Sequence, residues 1–205
     1  MPSDAPQARE ICVPDPAGAW ERLGFAVEDD GSFHVGGVRI VCGRERIEVA
    51  VDGLRADHPD GLAIARADRL SPPSRIGVRR RQHANGVVVL DHVVAFTDAL
   101  PRTLAALEEA GLEVRRIREP PEAPARQAFL RLGELILEVV ETGTEPRLWG
   151  LVAVVEDLDN LGDLVGTARD AVQPGRRIAT VRTEAGLTTA LAFMTPRGTS
   201  HAPLT

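Results

Sequence analysis

The chain has 205 residues, a net charge of −6 at neutral pH, 43% apolar and only 3% aromatic residues. That length suits one sizeable core or two modest ones. The two cysteines, Cys12 and Cys42, each lie in an apolar run and read as reduced, buried thiols rather than a disulfide framework.

No lysine and no tyrosine occur, which excludes lysine Schiff-base chemistry and a tyrosine general acid. The acidic balance argues against a nucleic-acid partner, because phosphate contacts need a clustered cationic surface. The one basic run, Arg79, Arg80 and Arg81, reads as a solvated linker or a guard for a strand edge. No apolar run approaches the roughly 20 residues that cross a bilayer. The opening MPSDAPQARE has neither the basic nor the apolar region of an export signal, so the expected address is cytoplasmic, with no membrane partner.

In chain order, the first elements are EICV (10–13), a short helix AGAWERLG (17–24), FAVEDD (25–30), a hairpin SFHVGGVRIVC (32–42) turning at Gly36 and Gly37, and RIEVAV (46–51). They form a loose β-α-β-β-β order and bound a degenerate unit at 1–57. Residues 58–86 hold HPDG, SPPS and HANG with little period and read as a linker carrying at most one short element, RADRL or IGV. His34 beside the hairpin turn reads as exposed, and His58, His83 and His201 show no ligand spacing.

The clearest pattern follows. LDHVVAFT (90–97) is a short β-rich run, and DALPRTLAALEEAG (98–111) is an amphipathic helix with Asp98 as N-cap, Leu100, Leu104 and Leu107 on one face, and Gly111 as its stop. Strands LEVRRIRE (112–119), RQAFLRLG (126–133) and LILEVVE (135–141) complete a β-α-β-β-β unit, the last two joined tightly through Gly133 and Glu134. The order then recurs in RLWGLVAVVEDL (147–158), a helix DNLGDLVGTARDA (159–171), and strands RRIATVR (176–182) and LTTALAFMT (187–195), with one strand short or missing. These two units make a domain at 87–196, and residues 197–205 read as a flexible tail.

The run LDHVVAFTDALPRTLAALEEAGLEV, closed by LILEVVE, resembles the vicinal oxygen chelate superfamily, which includes glyoxalase I, fosfomycin resistance proteins, extradiol dioxygenases and bleomycin-binding proteins. The resemblance implies an α+β fold of repeated βαβββ modules forming curved mixed sheets around a cleft. It also implies a divalent metal held there by a His or Gln on the first strand and a Glu on the fourth strand of each module. The matching positions are His92 and Glu138, with Glu138 also the residue that would move a proton. The third unit places Gly150 and Ala192 at those positions, and neither ligates through its side chain. The first unit offers Glu48 in RIEVAV, matched to Glu138, and Glu10 near the His92 position. His92, Glu138, Glu48 and Glu10 would suit Zn, Ni, Mn or Fe; the cofactor is that metal or none.

Each of these residues also has a plainer reading. His92 also reads as a core or cleft-edge histidine, and Glu138 as the partner of Arg126, Arg131 or Arg177. Arg176 and Arg177 follow the QPG turn, where one would point into the cleft and receive a substrate carboxylate or phosphate, or both lie on the surface.

Three functions therefore stand open: a metal-dependent lyase or isomerase acting on a small oxygenated molecule, a metal-free small-molecule-binding protein of the antibiotic-sequestering type, and a degenerate structural module. An odd number of modules leaves one half unpaired, so a homodimer is expected.

Overall fold

The computed structural model describes residues 5–69, 82–119 and 125–197; the Arg79 to Arg81 run, the IGV segment, His201 and the tail beyond Arg197 lie outside them. The fold is α+β, with two mixed sheets. Among the described residues no helix is long and apolar enough to cross a membrane.

The strands of the first sheet are β1 (Gln7–Cys12), β2 (Ser32–Val35), β3 (Val38–Val41), β4 (Glu48–Asp52) and β5 (Ile64–Arg66), in the order β2-β3-β1-β4-β5, with helix α1 (Ala17–Arg22) following β1. FAVEDD, expected among the elements, is irregular: Asp30 accepts from the Ser32 N–H and hydroxyl, turning the chain at Gly31.

β5 falls inside the expected linker. Leu62, Ala63, Ile64 and Ala65 are buried there, and β5 runs parallel to β4. Strand β3 runs parallel to β1, whereas β4 is antiparallel to it. The closing strand of the first unit is therefore β3, and the matching of Glu48 to Glu138 is corrected. Glu48 opens β4, a strand that with β5 completes the sheet from the other side.

The second sheet has eight strands. β6 (Val87–Thr97), helix α2 (Leu100–Glu109), β7 (Val114–Arg118), β8 (Gln127–Leu132) and β9 (Leu135–Glu141) form one module. β10 (Arg147–Val155), β11 (Arg169–Asp170), β12 (Arg177–Thr180) and β13 (Ala190–Met194) form the next. The order β11-β12-β13-β10-β6-β9-β8-β7 repeats one topology twice, first strand beside last, and β6 meets β10 antiparallel at the centre. First and last strands are parallel in both, β6 with β9 and β10 with β13. The second and third units thus pair with each other, and the first stands apart in its own sheet.

Period-2 alternation sorts the faces. On β8 and β9, Ala128, Leu130, Leu132, Leu135, Leu137 and Val139 are buried, and they share one hydrophobic core with Trp20, Phe25, Phe33 and Ile40 of the first sheet. Their alternates, including Phe129, Ile136, Glu138 and Val140, are half-buried on the outer face. Each fully buried large side chain contributes about 1.5–3 kcal/mol.

Two expected helix features differ. Asp98 does not cap α2; it pairs with Arg102, while Glu141 accepts the Leu100 N–H at 2.9 Å and Thr97 accepts the Ala99 N–H at 3.1 Å. The third-unit helix at 159–171 is absent. Gly162 and Gly166 interrupt it, and Gly162 takes a positive φ of 76°. The first unit packs on that side of the sheet: Phe25 stacks on Phe193 with centroids 6.2 Å apart, and Arg22 donates to the Ala185 carbonyl at 2.8 Å.

Buried Asp15 fastens this packing by accepting from the Thr188 hydroxyl at 2.8 Å and from the Thr188 and Thr189 amides. His83, from the expected linker, fastens that segment onto the first unit. Its Nδ1 accepts the Ala26 N–H at 3.0 Å, so Nε2–H donates to the His34 carbonyl at 2.8 Å, and burial lowers its pKa below the ordinary 6.5.

Replacing Asp15 by Ala removes the acceptor of the buried Thr189 amide and of the amide and hydroxyl of exposed Thr188, and urea unfolding should show a loss of about 2 kcal/mol; a loss within about 0.5 kcal/mol, the range of ordinary surface changes, would show that the latch does not hold the units together.

Candidate functional site

The outer face of the eight-stranded sheet can be read row by row from the register. One row runs Gln127, Val140, Phe96, Arg147; the next Phe129, Glu138, Val94, Gly150, Ala190; the third Arg131, Ile136, His92, Val152, Ala192, Thr180. His92 and Glu138 are thus diagonal neighbours on adjacent parallel strands, close enough for long side chains to meet. They do: His92 Nε2 lies 3.3 Å from Glu138 Oε2.

The β6–β10 seam contains three register shifts. At each, one strand carries an extra residue: Trp149 on β10, and Asp91 and Val88 on β6. A bulge re-aims the side chain that alternation would send elsewhere. Asp91 consequently meets its chain neighbour His92, accepting Nδ1–H at 2.8 Å. The other oxygen of Asp91 accepts from Arg176 Nη1 at 2.7 Å, and Arg176 also donates to Gln173 at 2.6 Å and the Thr195 carbonyl at 2.7 Å.

Arg176 is 3% exposed. A guanidinium that deep requires its acceptors, and through them it holds Asp91 in place. Arg177 is exposed and faces Asp159 at 3.4 Å, away from the pair.

The electrostatics follow. Burial would raise the Asp91 pKa, but hydrogen bonds from His92 and Arg176, with the charge of Arg176, hold it at about 2. Asp91 is therefore a carboxylate, and by accepting from Nδ1–H it orients the His92 ring with Nε2 toward Glu138. Glu138 is shifted the other way. Burial raises its pKa, the charge of Asp91 adds to the rise, and His92 and Arg118 oppose it. None of the arginines named as partners from the sequence neutralises Glu138: Arg126 forks onto Glu141 at 2.8 and 2.9 Å.

Glu10 and Glu48 do not join this pair. Glu10 is buried in the first sheet and accepts from Arg39 at 2.9 Å, and Glu48 sits opposite Cys12 in that same sheet. Among the described residues no group of three or more His, Cys, Asp and Glu side chains is placed to hold a metal ion. Position 150 cannot supply a ligand even by substitution, because a Cβ there would meet the Ala190 carbonyl oxygen at 2.5 Å.

What sequence reasoning missed is Asp91, Phe96 and Trp149. The signal was present in LDHVV, where two adjacent polar residues break strand alternation and announce a bulge. A cavity of about 440 Å³ opens beside the pair, lined in part by Asp91, Arg131, Ile136, Glu156 and Arg176. At the other end of the seam, Trp149 stacks on Phe96 with centroids 4.8 Å apart and planes 24° apart, and the Arg147 guanidinium lies 5.7 Å from the Phe96 centroid.

Because its folded pKa is raised, Glu138 contributes stability that is complete below the ordinary 4.5 and is lost as pH rises through the folded value. Glu138→Gln should therefore raise the melting temperature at pH 8 relative to the parent and lose that advantage near pH 4; an equal effect at both pH values would show that the carboxyl titrates normally.

No family model matches the chain, and no curated protein sequence matches it. Solved structures do show likeness. Methylmalonyl-CoA epimerase from Mycobacterium tuberculosis is 16% identical, with 58% of this chain and 95% of that chain covered and a TM-score of 0.48. A Streptomyces coelicolor methylmalonyl-CoA epimerase variant in complex with 2-nitronate-propionyl-CoA is 18% identical, covering 55% and 99% with a TM-score of 0.45. A hypothetical protein from Bacillus halodurans is 14% identical, covering 54% and 96% with a TM-score of 0.46. Strand order and register on their own, with first and last strands parallel in each unit and the two first strands antiparallel at the centre, make residues 87–194 one sheet of two paired modules, the arrangement that the sequence resemblance implies.

Proposed function

We propose that the chain binds a small oxygen-bearing molecule on the outer face of the eight-stranded sheet, with Glu138 and His92 as the polar centre and without a resident metal. The observation that supports this reading is the Asp91–His92–Glu138 chain itself. A carboxylate at Nδ1 orients the imidazole, and a carboxyl whose pKa burial raises stands 3.3 Å from Nε2. Such a pair offers a donor and an acceptor side by side. It can hydrogen-bond a carbonyl or hydroxyl, and it can take a proton from the carbon or oxygen beside it.

The residues present do not fit a metal of the kind the family resemblance implies. His92 and Glu138 supply two donors, Asp91 has both oxygens engaged, and the opposing positions are Gly150 and Ala192. One observation nevertheless favours the metal-dependent lyase or isomerase as a second reading. A separation of 3.3 Å suits two ligands at about 2.1 Å from a common ion, with substrate or water oxygens filling the rest.

The two readings separate by elemental analysis of chelator-free protein beside a thermal-shift screen of small hydroxy and keto compounds, using the parent, His92→Ala and Glu138→Ala. Expected are no stoichiometric metal in any of the three and hits whose affinity falls about tenfold or more in both variants. Near-stoichiometric metal lost in both variants would install the metal-dependent reading instead, and hits indifferent to both variants would reject the pair as the binding centre.

A further inference from the structure

The chain carries two tryptophans and five phenylalanines, and their placement is uneven. Trp20, Phe25, Phe33 and Phe193 are buried together, with centroid spacings of 4.9–6.2 Å along the cluster. Phe96, Phe129 and Trp149 lie instead on the outer face, Phe129 in the row of Glu138, Phe96 in the row beside it and Trp149 bulged between the two. Trp149 is 44% exposed, although it sits in a central strand of an eight-stranded sheet. It is there because it is the extra residue of a bulge: Leu148 opposite Ala95 and Gly150 opposite Val94 both keep their register, and the indole is displaced onto the Phe96 ring.

Gly150, next in the chain, has no room for a Cβ against Ala190, so the floor between the indole and the Val94 row carries no side chain at that point. The result is a flat strip. It is bounded at one end by stacked aromatic rings and the Arg147 guanidinium, and across the adjacent strand by Glu138. From Phe96 to the Glu138 row is two residues along the strand and one strand across, roughly 8 Å by strand geometry.

Resting on the proposed binding function of this face, we propose that Trp149 and Phe96 form a stacking platform for a planar aromatic ring of the ligand, whose oxygen substituent reaches Glu138 and His92. The class of molecule is thus a small aromatic alcohol or ketone rather than an aliphatic one. Offset stacking on an indole is favourable for any flat π-system and is lost when the ring is saturated.

A protein partner is a poorer occupant. Among the described residues the other exposed large apolar side chains are Val88 at the far end of β6, Ile117 on the edge strand β7 and Val172 between β11 and β12. They make no contiguous patch with Trp149, whereas a stable interface needs about 800 Å² from each partner.

The test uses the full chain with naphthol and its saturated counterpart decahydronaphthol. Fluorine NMR of fluorotryptophan-labelled protein gives one resonance each for Trp20 and Trp149, and calorimetry gives affinities. Naphthol should move the Trp149 resonance and leave Trp20 in place, bind about tenfold more tightly than decahydronaphthol, and weaken about tenfold in Trp149→Leu and in Phe96→Leu. No binding of naphthol, equal affinity for the saturated alcohol, or unchanged affinity in Trp149→Leu would each overturn the platform. Glu138→Gln keeps the two readings apart. If it leaves naphthol affinity intact while Trp149→Leu lowers it, the platform stands and the polar centre falls; the opposite pattern retains the polar centre and removes the platform.

Discussion

The antiparallel seam between β6 and β10 is the constraint on which the rest of the molecule depends. It joins two modules that each place their last strand beside their first, and so sets the rows in which His92, Glu138, Gly150 and Ala192 face the same side. Its bulges matter as much as its pairing. A regular ladder would send Asp91 and His92 to opposite faces of the sheet; the extra residue lets a carboxylate and the imidazole beside it in the chain meet. The same device at Trp149 brings a large aromatic ring out of a central strand.

That arrangement is held from below by a buried arginine. Arg176 reaches Asp91, Gln173 and the Thr195 carbonyl from the turn before β12, so the polar pair on β6 and β9 is anchored by the neighbouring module. With Asp91 kept ionised between Arg176 and His92, the burial of Glu138 and the negative charge of Asp91 work together to raise the Glu138 pKa. The two carboxyl groups on either side of one imidazole are pushed in opposite directions by their surroundings, the separation of roles that acid–base chemistry uses.

The first unit has a different part to play. Its sheet extends through β4 to β5, and its aromatic cluster, with α1, lies against the third unit where that unit lacks a helix. Asp15 and Arg22 tie it to the segment at 185–189. Glu10 belongs to this packing, buried beside Arg39.

Much of the architecture was legible in the residues because it depends on local pattern. The alternation in RQAFLRLG and LILEVVE specifies which side chains are buried, the leucine spacing in 98–111 specifies α2, and the likeness of LDHVV and LWGLV marks the two opening strands. His92 and Glu138 could be named from those strands, since their register positions follow from the order of elements. The tertiary structure alone decided which units pair, that Glu48 lies on a completing strand rather than a closing one, and that 159–168 is irregular while another part of the chain covers that side. It alone placed Arg176 under Asp91 and Trp149 on Phe96. The physical reason is range. Periodicity reports what a residue does relative to neighbours a few positions away, whereas strand pairing, bulges and a buried ion pair spanning 85 positions depend on which distant segment offers the best surface and the missing hydrogen-bond partner.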